Sequence, residues 1–353
     1  MIATAEKSNK DPSVMPASWG NRIDEVSEVA GPLLESHAFR RLEDIRFLGL
    51  LSPCTPYSEQ RPSSLRPRKS PTVPVCDDGT RAEHSLGVAL ILLDLSRRLA
   101  LSEDTQRYAI AWGLLHDLGT WPLSHTTEAA FSILTSINSR ELRAGMITDS
   151  QRVPREFHLG KMLREIGIES DILISLFAGD ASLPDDELRL LRQIIMSPIT
   201  PDTLEGIWRC GVVFGVEVPH PNAVVGTIER DMLFDAMIRR DLSDVILRFW
   251  RKKAYIYERF INHPDTISWE SRWGAVVLNA FAGISLAESL QLREADIFDR
   301  LMGSELPEAD KQLRYKAPLR YSVSPPKIKK LPDDLRHLST LGKALSREPL
   351  SVV

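Results

Sequence analysis

The sequence predicts an all-α fold, and three observations predict it. From about residue 81 to residue 300, nearly every segment repeats its apolar residues at helical spacing. Alternating, strand-like segments are scarce: "LRYKAPLRYSV", residues 313–323, is the one candidate, and Pro318 demotes it to an edge strand at best. Helix punctuation falls where the periodic runs begin and end. Ser102 precedes Glu103 and Asp104, acids suited to the positive end of a helix dipole, and Gly119 offers a C-terminal stop.

In order along the chain, residues 1–20 are polar and lack a core-forming pattern. Residues 22–50 read as helical, ending in "HAFRRLEDIRFLGLL", where Phe39, Leu42, Ile45 and Leu48 (or Phe47) recur at three-residue steps. Between 52 and 79 the pattern breaks. Pro53, Pro56, Pro62, Pro67, Pro71 and Pro74 sit among Arg61, Arg66, Arg68 and Lys69, which predicts an extended insertion with a basic character. Such a segment could contact phosphate, though a solvated loop is the plainer reading. Helices follow at "TRAEHSLGVALIL" and "TQRYAIAWGLLHDLG". Further ones are "EFHLGKMLREIGI", "DDELRLLRQIIM", "VGTIERDMLFDAMIRRDL", "SDVILRFWRKKAYIYERFI" and "SRWGAVVLNAFAGISLAESL". From about 306 the chain becomes a proline-interrupted, basic tail, and there is no internal repeat.

Composition narrows the function classes. With 43% hydrophobic and 26% charged residues, 353 residues can bury a large core. A net charge of −4 gives no global basic field that would advertise nucleic acid. Lys327, Lys329, Lys330 and Arg320 form a local basic cluster that could meet nucleic acid or an oligomer partner, but such runs are usually just solvated. Three separated cysteines, Cys54, Cys76 and Cys210, make neither a zinc ribbon nor a disulfide framework and suit a reducing compartment. The first residues lack the apolar stretch of a signal peptide. The most apolar run, "GVALILLDLS", is interrupted by Asp94, far short of the about 20 residues that span a bilayer. The expectation is a cytoplasmic protein with no membrane partner.

The chemistry concentrates in "LLHDLGTWPLSHTTE", residues 114–128, where His116 and Asp117 are adjacent. Helix neighbours project about 100° apart, so an ion wedged between helices is what both can reach. His84 supplies a second imidazole 32 residues earlier. Asp231 and Asp235, spaced i, i+4, offer a second carboxylate from one helix face. Imidazole and carboxylate together suit one divalent ion, Mn, Fe, Ni, Mg or Zn, rather than a thiolate-loving metal. Two His and two Asp on three helices leave positions open for water and a phosphoryl oxygen, as metal-assisted phosphate-ester hydrolysis requires. Alone, His84 would be an ordinary hydrogen-bonded core histidine, and Asp231, Asp235 and Arg239 could form a solvated ion-pair stripe.

The order H…HD…D resembles the HD-domain metal-dependent phosphohydrolases. "FRRLEDIRFLGL", "TRAEHSLGVALIL", "HDLGTWPLSHTTE", "FHLGKML" and the Asp231 segment together resemble the deoxynucleoside triphosphate triphosphohydrolase branch over roughly residues 35–260. The resemblance implies an HD helical fold over residues 22–305, a flexible N-terminus over 1–21 and a C-terminal extension over 306–353. It implies His84, His116, Asp117 and Asp231 as metal ligands, with Asp235 as the alternative. Arg81 and Tyr255 would contact the substrate's phosphate and sugar, and Asp235 falls in the segment that reads the sugar. His125 and Glu128 would be the catalytic histidine and its acid, with His158 partnering that acid. The implied substrate is a nucleotide, foremost a (deoxy)nucleoside triphosphate cleaved to nucleoside and triphosphate. Other HD hydrolases act on monophosphates or cyclic nucleotides, and a non-catalytic nucleotide- or nucleic-acid-binding protein could keep the fold. Relatives of this branch assemble, so a homo-oligomer is an expectation. The chain departs from the pattern at Thr120 and Trp121, which stand where the branch has His and Gly, removing one imidazole and placing an indole in the turn. It departs again at Phe234 and Asp235, where Asp and Tyr are expected.

Overall fold

The computed structural model describes residues 22–53, 78–178, 183–197, 199–230, 236–238 and 243–301. Helices α1 (Ile23–Leu34) and α2 (His37–Arg40) lead into two 3-10 turns, Arg41–Asp44 and Gly49–Leu51. Then come α3 (Arg81–Arg98), α4 (Glu103–Leu115), α5 (His125–Thr135), α6 (Ser139–Ile147), α7 (Gly160–Glu165) and α8 (Ser170–Ala178). After these follow α9 (Asp186–Ile195), α10 (Pro201–Phe214) and α11 (Pro221–Val225). Strands β1 (Ile228–Arg230) and β2 (Ala236–Ile238) pair antiparallel, with Ile228 opposite Ile238. Helices α12 (Ser243–Ile256), α13 (Pro264–Ala280), α14 (Leu286–Leu290) and α15 (Glu294–Leu301) complete the described residues, which are all-α apart from that hairpin.

Helix α3 is the axis of the core. Its apolar residues surround it on every side, and Val88 through Leu93 are at most 2% exposed, the signature of a helix buried all round. At roughly 2 kcal/mol for each fully buried Leu or Ile, Leu90 to Leu93 alone anchor it firmly. A reciprocal cap fixes where it starts: Thr80 Oγ1 accepts from the Glu83 N–H at 3.2 Å, and the Glu83 carboxylate accepts from the Thr80 N–H at 3.0 Å. Helix α4, capped by Ser102 as expected, crosses α3 closely. At the crossing Gly113 has no room for a side chain, since a Cβ there would sit 2.6 Å from Ala89 Cα. Helices α1, α10 and α11 also pack on α3, and α12 packs on α10.

Several predicted helices are broken. The 22–50 segment is not one helix: Ala30 leaves helical geometry two residues before Pro32, and Ser36 starts a new turn by accepting from the Phe39 N–H at 3.1 Å. The turn after α4 begins at His116, before Gly119. The "VGTIERDMLFDAMIRRDL" segment is corrected from helix to hairpin where it is described, at 228–230 and 236–238. Tertiary docking overrides its helical period: Arg98 Nε donates to the Ile228 carbonyl at 2.6 Å, and Arg230 Nη1 to the Leu99 carbonyl at 3.1 Å. The 243–261 run ends in a π turn over Tyr257–Ile261. The 271–290 run splits into α13 and α14 at Gly283, whose φ of +85° a helix cannot hold. Of the proline-rich insertion, residues 54–77 lie outside the described residues, as do 1–21 and the tail with its strand candidate. The insertion's two ends are tied together: Ser52 Oγ donates to the Asp78 carboxylate, which also accepts from the Leu48 N–H at 2.7 Å. No described helix is long and apolar enough to cross a membrane.

Candidate metal centre

The first turn of α3 and the end of α4 bring His84 and His116 face to face, with Nε2 atoms 3.2 Å apart. The His116 Nδ1 lies 2.8 Å from the Gly113 carbonyl, an acceptor, so Nδ1 carries the proton and Nε2 a lone pair. The His84 Nδ1 is hydrogen-bonded to the Glu205 carboxylate, which sets the same tautomer. Two nitrogens at that distance need a proton or a metal cation between them. Two ligands of one first-row ion, bound at about 2.1 Å each, lie about 3.0–3.4 Å apart, which matches.

Carboxylates complete the donor set. Asp117 places Oδ1 3.8 Å from His116 Nε2 and Oδ2 3.9 Å from His84 Nε2, and one donor atom from each of the three residues falls within 4.8 Å of the others. Asp202, in the first turn of α10, places Oδ1 3.1 Å from His84 Nε2 and 3.8 Å from His116 Nε2. Thr200 caps that helix by accepting from the Thr203 N–H at 2.9 Å, and Pro201 occupies its first position, so Asp202 is held at the helix end. Two neutral imidazoles and two carboxylates fit a hard or borderline divalent ion.

The surroundings favour positive charge at the centre. Burial works against a charged His84, yet Glu205, Asp202 and Asp117 outweigh it and push its pKa up to about 9. Burial also opposes ionisation of Asp117, but Arg81, His116 and His84 hold its carboxyl well below the usual carboxylate range. For His116 burial dominates and lowers the pKa, which keeps the ring neutral. Behind His84, Glu205 and Arg209 form a fully buried pair: Arg209 Nε reaches the two carboxylate oxygens at 3.0 and 3.2 Å, and Arg209 Nη1 donates to the Asp78 carbonyl at 3.0 Å. Phe47 packs on His84 with ring centres 4.6 Å apart, and Trp112 stacks on His116 at 5.5 Å. Gly206 makes room for this packing, since a Cβ there would lie 3.2 Å from Phe47.

Residues 81–173 match the HD-domain family profile, spanning His84, His116 and Asp117. Over this segment the chain is similar to HD domains. Two solved structures share the fold. A hypothetical protein from Aquifex aeolicus has 20% identity and a TM-score of 0.58, covering 78% of this chain and 67% of its own. A phosphohydrolase from Bacteroides thetaiotaomicron has 17% identity and a TM-score of 0.58, covering 77% of this chain and 68% of its own. No curated protein matches the chain.

Arg81, the first residue of the profile-matched segment, donates from Nη1 to Asp117 Oδ2 at 2.9 Å and from Nε to Ser124 Oγ at 3.0 Å. His125 opens α5 one residue after Ser124, half-exposed, with Nδ1 3.3 Å from the Glu128 carboxylate. Glu128 also accepts from Ser139 Oγ at 3.0 Å. His158 does not make the contact expected of it. Its Nε2 faces the Ser150 and Val153 carbonyls at 3.1 and 2.9 Å, and its Nδ1 lies 4.0 Å from Asp149, so it braces the turn before α7. Trp121 does not crowd the site. It is fully buried and stacked on Phe131 at 5.1 Å, with the Arg41 guanidinium 5.6 Å from its ring centre.

Asp231 and Asp235 lie outside the described residues. Their described neighbour Arg230 bonds to Leu99 at the far end of α3, about 20 Å along the axis from His84 at 1.5 Å per residue. A further carboxylate close to His84 and His116 is that of Asp202, beyond the profile-matched segment. Tyr255 is 37% exposed, with its ring edge on Phe260 at 6.1 Å. On the same helix Lys253 sits between the rings of Trp250 and Tyr257, 5.0 and 5.8 Å from their centres. Burial lowers its pKa to about 8, against the pull of Asp202. Asp202, Glu205, Arg209 and Lys253 all escaped sequence reasoning. The signal available was a polar row at i, i+3 and i+7 in the otherwise apolar "PDTLEGIWRC".

Proposed function

We propose that the chain is a metal-dependent phosphohydrolase acting on nucleotide phosphoesters, foremost (deoxy)nucleoside triphosphates, with nucleoside and triphosphate as products. The observation that carries this reading is the cluster of His84, His116 and Asp117, with Asp202 beside the two imidazoles and the buried guanidinium of Arg81 on Asp117. A divalent ion held there supplies Lewis-acid activation of water and of a phosphoryl oxygen. The likeness to the Bacteroides phosphohydrolase supports the fold on which that chemistry would run.

This chain's own groups take the remaining roles. Arg81, already oriented by Ser124 and Asp117, presents a planar fork to a phosphate oxygen and offsets charge building on phosphorus. When water adds to the α-phosphorus and the bond to the 5′ oxygen breaks, that oxygen needs a proton, and His125 supplies it. Glu128 accepts from Nδ1–H, so the proton given is one that Nε2 has first taken up, and the ring enters the step as imidazolium and leaves it neutral.

The test is product analysis over dNTPs, NTPs, NMPs and cyclic dinucleotides, with Mn²⁺, Fe²⁺ or Mg²⁺ and with chelator. The expected result is triphosphate from dNTPs, only with metal, lost in His116→Ala. Turnover of the other nucleotides alone moves the substrate class. Nucleotide binding without turnover under every metal overturns the enzymatic reading.

A further inference from the structure

We propose that Glu294 is a positioning residue for the metal centre: from α15 it fixes the turn at Leu123–Ser124, and through Ser124 and Arg81 it sets the orientation of Asp117. The inference rests on the metal-centre reading above, and its test measures ion binding separately from turnover.

Glu294 is buried, 6% exposed, and a single oxygen of its carboxylate serves two separate segments. Oε1 accepts from the Leu123 N–H at 2.9 Å and from the Arg46 N–H at 3.1 Å. The turn it grips is strained. Leu123 and Ser124 have φ of 64° and 52°, the left-handed region that residues with side chains rarely occupy. Such a turn persists only when its surroundings hold it. On one side the holder is backbone, since Gly49 leaves no room for a Cβ within 2.3 Å of the Leu123 carbonyl oxygen. On another it is Glu294.

The strained geometry aims the Ser124 hydroxyl. Its Oγ donates to the Arg46 carbonyl at 2.8 Å and accepts from Arg81 Nε at 3.0 Å. Arg81 then donates to Asp117 Oδ2 at 2.9 Å. Glu294 therefore bonds both strands that flank Ser124, the Arg46 segment and the Leu123 segment, and fixes their separation. Ser124 converts that separation into the placement of Arg81. Arg81 decides which way the Asp117 carboxylate faces. Partners that orient a ligand from behind typically change metal affinity 10–100-fold when removed.

The test uses the full chain and Mn²⁺, by chelator competition, on wild type, Glu294→Ala, Glu294→Asp, Glu294→Gln, Arg81→Met and the combination of Arg81→Met with each Glu294 variant. Glu294→Ala removes the acceptor and Glu294→Asp withdraws it, and both are expected to weaken Mn²⁺ binding at least about tenfold. Glu294→Gln keeps the accepting oxygen and is expected to stay within about threefold. With Arg81 already replaced, loss of Glu294 is expected to add less than about twofold, because both changes cut one relay. Multiplying losses, or wild-type affinity in Glu294→Ala and Glu294→Asp, overturn the proposal. Should Glu294→Ala fail to fold by circular dichroism, the comparison of Asp with Gln carries the same two outcomes. If wild type itself binds no Mn²⁺, the metal-centre reading fails and takes this one with it. If wild type binds and the variants match it, only the relay fails.

Discussion

The facing Nε2 atoms of His84 and His116, 3.2 Å apart, are each backed by an acceptor on the other side of the ring, the Glu205 carboxylate and the Gly113 carbonyl. Both rings are thus held with their Nε2 atoms facing each other, an arrangement that a proton on His84 or a metal ion in its place satisfies. A ligand that binds only the native state raises stability by about 2.7 kcal/mol at a concentration 100 times its Kd. Saturating Mn²⁺ is therefore expected to raise the Tm of the wild type by several degrees. A thermal scan should show that gain vanish in His84→Ala and His116→Ala and on adding chelator. An equal gain in His116→Ala would mean that the ion sits elsewhere.

Asp202 reaches both histidines from the first turn of α10, 3.1 Å from one and 3.8 Å from the other. Its half-exposed position places it at the open side of the cluster. Asp202→Asn removes the negative charge while keeping the shape, and is expected to weaken Mn²⁺ at least about tenfold. Metal titration of Asp202→Asn beside Asp231→Asn decides which of the two carboxylates serves as the ligand.

Why Asp202 was hidden while His84, His116 and Asp117 were legible follows from how each is encoded. The last three sit in "EHSLG" and "HDLG", short motifs close together in sequence, and it is their order and the resemblance it carries that point to them. Asp202 arrives from a helix more than 80 residues further on, and its approach depends on how α10 crosses α3, which no local period encodes. Glu205 and Arg209 were hidden for another reason. An i, i+4 Glu–Arg pair reads as a solvated helix face, but here both are fully buried because His84 needs the carboxylate and the carboxylate needs the guanidinium. The hairpin at β1 and β2 shows the opposite error: the spacing of Asp231 and Asp235 suited a helix, but β1 docks on the end of α3 and pairs with β2. Trp121, expected in the active turn, found its place against Phe131 because an indole gains more from burial than the turn could offer.

The crossing of α3 and α4 is set by a missing side chain. A Cβ on Gly113 would fall 2.6 Å from Ala89 Cα and 2.7 Å from its nitrogen, both backbone atoms that cannot step aside. Gly113→Ala is expected to force the helices apart, at about 1–3 kcal/mol or more, although alanine is the better helix former. Because Gly113 also supplies the carbonyl that orients His116, Mn²⁺ affinity should fall with stability. Urea denaturation and metal titration on one preparation check both. A variant as stable as wild type would show that the helices are free to separate there.

Glu294 also gives the protein a pH signature. Burial pushes its pKa up from 4.5 to about 7, only partly offset by the Leu123 and Arg46 N–H groups. The folded form therefore holds the proton more tightly than the unfolded chain does. The stability that this group contributes is fully present below about pH 4.5 and is lost as pH rises through about 7. A shift of that size amounts to roughly 3 kcal/mol across the window, at 1.36 kcal/mol per unit. Glu294→Gln cannot titrate, so its stability relative to wild type should improve by that order between pH 4.5 and pH 7.5. Denaturation midpoints at the two pH values give the answer, and a pH-independent difference between the proteins would place the folded pKa of Glu294 near its ordinary value.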